Sequence, residues 1–186
     1  DQKTSEVYPF YASHTILATG GLGQLFLHNT NGTYARGDGI ALGYRAGCRL
    51  ENLEYVQFHP TTFFRASGPR FLISEAVRGE GGVMVNQAGE RFLSKYLPDY
   101  PVPELAPRDR VAQAIHKEML STGALCVYLD ISHKPADWIQ ERFPFIYRSC
   151  LRHGVDITKE SIPVVPGAHY HCGGIWTDLE GATSVP

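Results

Sequence analysis

Residues 71–82 read Phe-Leu-Ile-Ser-Glu-Ala-Val-Arg-Gly-Glu-Gly-Gly, and the folding of this stretch decides how the rest of the chain is arranged. Glu75 and Arg78 are three positions apart, so on a helix they share a face and can touch. Glycines at 79, 81 and 82 end any such helix abruptly and let backbone approach another group closely. The spacing predicts a short helix over 71–78 followed by a break. An ion pair beside such a break serves as structure or as part of a proton relay, and these residues alone leave both open. Glu80 keeps a structural reading, capping a turn.

C-terminal to this stretch, residues 82–85, 86–89 and 91–92 have the pattern of a β-hairpin. Residues 96–103 hold three prolines, at 98, 101 and 103, which excludes a helix or a central strand and leaves a loop or lid. A helix is expected from Glu104 to about Ser121, with Pro107 at its start and a buried stripe of Val111, Ala114, Ile115 and Met119. Asp109 suits the first turn of that helix, whereas Arg108 opposes the helix dipole. An anion must justify it: Asp109, an acid from elsewhere, or a bound carboxylate. Strands are expected at 127–131 and 162–165, with helices over 136–143 and 144–153. Trp138, Phe143, Ile146 and Leu151 read as core.

On the N-terminal side, Thr15-Ile16-Leu17-Ala18-Thr19 reads as a buried strand entering the turn Gly20-Gly21, as in parallel α/β sheets. Asp38 precedes a helix-like run that Gly47 can end; it suits an N-cap or a ribose or ribityl hydroxyl better than an anion. Residues 53–58 resemble a strand leading into His59-Pro60, and proline holds the preceding residue extended, presenting the His59 ring at a fixed angle off the strand end. Near the C-terminus, His169, His171 and Cys172 cluster in Gly-Ala-His-Tyr-His-Cys-Gly-Gly. Alternation puts both histidines on one face, where a metal ion can be held. No second cluster has metal-ligand spacing, and no metal is expected.

Composition sets the bounds. The 186 residues are enough for a substantial core, and the apolar share (43 %), charged share (19 %) and net charge of −2 are those of an ordinary globular protein. Nothing points to nucleic acid or to an anionic membrane as partner, and no apolar run approaches the roughly 20 residues that span a bilayer. Cys48, Cys126, Cys150 and Cys172 are scattered, as in a reduced cytoplasmic protein. Both ends of the sequence look cut, and a piece of a longer protein is expected.

In this order, Ala18-Thr-Gly-Gly-Leu-Gly-Gln24, Gly37-Asp-Gly-Ile-Ala-Leu-Gly-Tyr-Arg-Ala-Gly47, Glu54-Tyr-Val-Gln-Phe-His-Pro-Thr-Thr62, Ser74-Glu-Ala-Val-Arg-Gly-Glu-Gly-Gly82, Glu104-Leu-Ala-Pro-Arg-Asp109 and Ala168-His-Tyr-His-Cys-Gly-Gly-Ile175 resemble the family of the flavoprotein subunits of fumarate reductase and succinate dehydrogenase and the L-aspartate oxidases. The similarity covers essentially the whole chain, and residues 128–147 and 154–174 look most like the oxidases. It implies an α+β capping domain flanked by pieces of an α/β, Rossmann-like FAD-binding domain: residues 1–58 and 169–186 in the FAD part, 59–168 in the cap. It implies non-covalent FAD, oxidation of L-aspartate to iminoaspartate on the route to quinolinate and NAD, reoxidation by oxygen or fumarate, and quinolinate synthase as a partner. By the same resemblance His59, Ser74 and His169 bind the dicarboxylate. Arg108 serves as acid or orienting cation, Arg78 and Glu75 form its relay, and Ala18, Thr19, Gly20 and Asp38 contact the cofactor. The family often has threonine at the position of Ser74, and His171 stands where relatives commonly have threonine. The alternatives are a fumarate reductase or succinate dehydrogenase piece, or an inert capping domain.

Overall fold

The computed structural model describes residues 3–66, 68 and 70–185. In chain order its regular elements are α1 (Asp38–Arg45), β1 (Leu50–Glu51), β2 (Val56–Phe63), α2 (Ala76–Gly79), β3 (Val83–Val85), α3 (Leu93–Tyr96), α4 (Arg108–Thr122), β4 (Val127–Asp130), α5 (Ala136–Arg142), α6 (Pro144–Leu151), β5 (Ile162–His171) and β6 (Gly174–Ile175). Strands β2, β5, β4 and β3 lie in that order in one antiparallel sheet, and β1 pairs with β6 in a separate two-stranded ribbon. The architecture is mixed α and β.

The core lies where α4 packs on β2 and β5. Val111, Ala112, Ala114, Ile115 and Glu118 form the buried face of α4, at the spacing of one helical stripe. In β4 the alternation of period two buries Val127 and Leu129 and leaves Tyr128 and Asp130 half-exposed. Ile73, Val77, Met84, Ile131, Ile139, Ile157 and Ile162 complete the apolar cluster. Trp138 packs against it, and Phe143 and Ile146 are buried within it, but Leu151 is 47 % exposed and is not core.

Several expectations change. Residues 15–19 form no strand and are exposed, Ile16 at 89 %, because no described segment offers them a paired edge. The strand that carries His59 does not end there. It runs through Pro60 to Phe63, with register slips between Gln57 and Phe58 and between His59 and Thr62. Pro60 falls inside the second irregularity, where its missing N–H leaves no ladder bond unmade. The helix expected over 71–78 is confined to Ala76–Gly79. Before it the chain is extended and tied to the end of β2: Phe63 N–H donates to Phe71 O (2.9 Å) and Ile73 N–H to Thr61 O (2.9 Å). That pairing outweighs local helix propensity.

The hairpin expected after Gly82 is reduced to a tight turn at 86–90 and a single bridge, Val85 to Arg91. The main partner of β3 is β4. Strand β5 runs six residues beyond Val165, and so carries His169 and His171 within the sheet.

Candidate functional site

The carboxylate of Glu75 lies between two guanidinium groups. Arg108 donates to Oε2 through both Nε (2.9 Å) and Nη2 (2.8 Å), and Arg78 donates to Oε1 through Nη2 (3.2 Å). Each element supplies one member for a local reason. Glu75 is the N-cap residue of α2 and Arg78 its third residue, so the i, i+3 spacing survives even though the helix is a single turn. Arg108 opens α4 directly after the extended Pro107. The anion that answers its unfavourable place in the first turn is Glu75.

Arg78 is buried, and its Nη1 donates to the carbonyl oxygen of Glu104. Burial pulls its pKa below the ordinary arginine value, although Glu75 pulls the other way. For Glu75, burial alone would raise the pKa. The hydrogen bonds from Arg108 and the two positive charges outweigh it, and the carboxyl sits below its usual range.

Two histidines lie beside Arg108. His59 on β2 is 1 % exposed, and its ring centroid is 5.3 Å from that of His169 on β5 in an edge-to-face arrangement. Antiparallel pairing of β2 with β5, which sets His59 opposite Gly167, brings them together. Burial first, and then the charge of Arg108, lowers the pKa of His59 to about 3. The same two causes lower that of His169. Both rings are therefore neutral near pH 7. Nδ1 of His59 accepts from Thr61 N–H (3.2 Å), so its proton is on Nε2, a buried donor that meets no partner among the described residues. Nδ1 of His169 is 2.8 Å from Thr30 Oγ1.

The structure thus gathers Glu75, Arg78, Arg108, His59 and His169. Ser74 is next to Glu75 in the chain, and its Oγ accepts from Ala76 N–H (3.2 Å). Asp38 caps nothing: the N-cap of α1 is Gly37, at φ 81°, and the Asp38 carboxylate pairs instead with Arg36 at 3.2 Å. Thr19 lies against α1, where a Cβ on Gly39 would sit 1.7 Å from Thr19 Oγ1. Gly37 N–H donates to Gly21 O (3.0 Å), which ties the exposed residues 18–20, through Gly21, to the start of that helix. Nε2 of His171 is 3.2 Å from the carbonyl of Leu53, away from any metal-ligand group among the described residues. Glu80 pairs with Arg142 (2.9 Å).

Three participants escaped the sequence reading. Gln57 accepts from Arg108 Nη1 (3.0 Å); it lies two residues before His59 on extended chain, a period-two signal that could have found it. Thr30 and the Glu104 carbonyl come from distant segments and carry no such signal.

Residues 1–185 match the FAD binding domain family. The chain belongs to that family. L-aspartate oxidase 1 of Ralstonia nicotianae is 52 % identical over 185 residues, which cover 100 % of this chain and 34 % of that protein. L-aspartate oxidase of Pseudomonas aeruginosa is 50 % identical over 186 residues, again 100 % of this chain and 34 % of the relative. The chain therefore spans about a third of the length of these curated relatives. Among solved structures, a quinol-fumarate reductase with menaquinol molecules superposes with a TM-score of 0.78 at 40 % identity, covering 90 % of this chain and 31 % of that one. Membership makes FAD the cofactor. Among the described residues, no helix is long and apolar enough to cross a membrane.

Proposed function

We propose that this chain supplies most of the dicarboxylate site of an L-aspartate oxidase, which converts L-aspartate to iminoaspartate with non-covalently bound FAD. The observation that carries this reading is the Arg108–Glu75–Arg78 line set beside two neutral histidines. The buried, unpartnered Nε2–H of His59 needs an acceptor, and a substrate carboxylate provides one. Relatives at 52 and 50 % identity bear the oxidase name.

The cofactor side fits as well. Gly39 leaves Thr19 room against α1, Gly20 takes a left-handed φ of 71°, and residues 18–20 are exposed. Ala18, Thr19 and Gly20 would meet FAD through main-chain groups, and Asp38, at the start of α1, would offer an acceptor to a cofactor hydroxyl. When bound, FAD supplies the two-electron acceptor for hydride leaving C2. The chain's own residues do the rest. His59, His169 and the hydroxyl of Ser74 hold the carboxylates, and Arg108, fixed by Glu75 and Gln57, neutralises and orients the dianion.

The line of residues from Arg108 to Arg78 favours a second reaction of the same site. Reduction of fumarate needs a proton at C3, and a guanidinium delivers one only if it is reprotonated through partners. Glu75 touches both arginines, which supports its part in such a relay. The reduced cofactor would then be reoxidised by fumarate as well as by oxygen, and the flavoprotein of a fumarate reductase or succinate dehydrogenase is the alternative reading. We assign residues 1–58 and 169–186 to the FAD-binding part, 59–168 to the cap, a cytoplasmic location to the protein, and quinolinate synthase as the consumer of its product.

In the full-length protein, hydrogen peroxide formed from L-aspartate but not from succinate is the expected result; oxidation of succinate alone would overturn the oxidase reading. Arg108→Leu should cut fumarate turnover by far more than it weakens dicarboxylate binding, and largely intact turnover would remove the acid role. A bound flavin spectrum in the purified protein excludes an inert capping domain.

A further inference from the structure

Glu104 is 2 % exposed, yet nothing in the proposed chemistry uses it. Its carboxylate oxygen Oε1 accepts from Arg91 Nη2 at 3.0 Å and from the backbone N–H of Met84 at 3.5 Å. Its carbonyl oxygen accepts from Arg78 Nη1. Four residues on, the same backbone delivers Arg108 at the start of α4. One residue therefore ties down β3, the turn that follows it and α2, while standing at the root of the helix that carries Arg108.

We propose that Glu104 is the positioning residue of the arginine line, setting the separation of Arg78 and Arg108 across Glu75. Arg78 has two anchors, Glu75 Oε1 and the Glu104 carbonyl, so the location of that carbonyl decides where Nη2 meets Glu75. The carbonyl is held in turn by the side-chain bonds of its own residue. Truncation of Glu104 frees the segment 103–107 from β3, and Arg78 and the start of α4 drift apart. The charged groups facing Glu104 are Arg91, from the segment after β3, and Arg78, from α2. With Arg91, it also walls a cavity of about 350 Å³ that includes Leu97, Tyr100 and Pro103, so the displaced segment has space to move into. The inference rests on the proposed dicarboxylate chemistry.

The test uses full-length protein and compares Glu104→Ala with Glu104→Gln. The amide oxygen of glutamine can still accept from Met84 N–H and Arg91, so Glu104→Gln should stay close to the parent. Glu104→Ala should lower kcat for fumarate reduction by about ten- to a hundredfold, the scale of small misplacements at a reacting centre. Aspartate oxidation, which needs no C3 proton, should fall less, and the affinity for the unreactive dicarboxylate malonate, read by calorimetry, should stay within about threefold. Arg91→Ala removes the exposed outer clamp and should move the ratio of the two activities in the same direction, which keeps the test decisive if Glu104→Ala does not fold. Equal losses in both activities with a lowered melting temperature would mean a purely structural role and overturn the proposal. A Glu104→Gln variant as impaired as Glu104→Ala would overturn it too. Were the parent inactive toward both substrates, the proposed function itself would fail; an active parent with an unchanged ratio in the variants refutes the role of Glu104 alone.

Discussion

Acidification should destabilise this fold through His59. The ring is 1 % exposed and its pKa is lowered from 6.5 to about 3, by burial and then by the charge of Arg108. In the unfolded chain the same imidazole takes up a proton near its ordinary value. Between the two pKa values the unfolded state binds more protons, so stability falls as pH drops below 6.5 and goes on falling to about 3. At pH 5 the gap opened is roughly 1.5 units, or about 2 kcal/mol at 1.36 kcal/mol per unit. His169 and His28 shift in the same direction, so a variant must isolate the share of His59. The depressed carboxyl of Glu75 loses its contribution only below its usual value of 4.5, outside the comparison of pH 7 with pH 5. Urea unfolding of parent and His59→Gln at pH 7 and pH 5 gives the difference. The parent should lose about 2 kcal/mol more than the variant, a midpoint shift of roughly 1 M with a typical urea slope. Equal losses in the two proteins would show that His59 is solvated or paired, and would remove the case for a buried Nε2 donor at the site.

Other outcomes follow from packing. A Cβ on Gly82 would sit 2.7 Å from the carbonyl oxygen of Val77, so Gly82→Ala should cost about 1–3 kcal/mol in chemical denaturation and weaken dicarboxylate binding through α2. Leu129 is fully buried between strands, and Leu129→Ala should cost about 2–5 kcal/mol in the same assay. Burial pushes the thiol of Cys150 up to about 12, whereas Cys172 is exposed. Iodoacetamide at pH 8 should label Cys172 in the native chain and Cys150 only after unfolding, as read by peptide mass spectrometry.

Where local physics decides, the sequence was readable. Val111, Ala114 and Ile115 of the expected α4 stripe are buried, although Met119 is only partly so and the helix starts at Arg108 rather than Glu104; the strand near 127–131 and the glycine break after Arg78 also appear. The pairing of Glu75 with Arg78 was visible as an i, i+3 spacing, and the misplaced charge of Arg108 signalled an anion without saying which of three sources supplies it; the contact is with Glu75. What stayed hidden depends on partners far away in sequence. Residues 71–74 look helical until the end of β2 claims their backbone. Residues 15–19 look like a buried strand, yet only a neighbouring strand could bury them. Asp38 looks like a cap, but a left-handed glycine already starts α1. Gln57 and Glu104 joined the site through contacts 51 and 26 residues apart in sequence, and composition carries no trace of these.

The extended run before α2 has a consequence for how such a site changes over time. Its backbone bonds at Phe71 and Ile73 fasten it to the end of β2, while both histidines belong to the sheet itself. On the proposed reading, the two histidines are mounted in the sheet, while Ser74, Glu75 and Arg78 hang on a run that only borrows its edge. A designer who grafts residues 71–82 from a relative should therefore be able to retune turnover without rebuilding the strands.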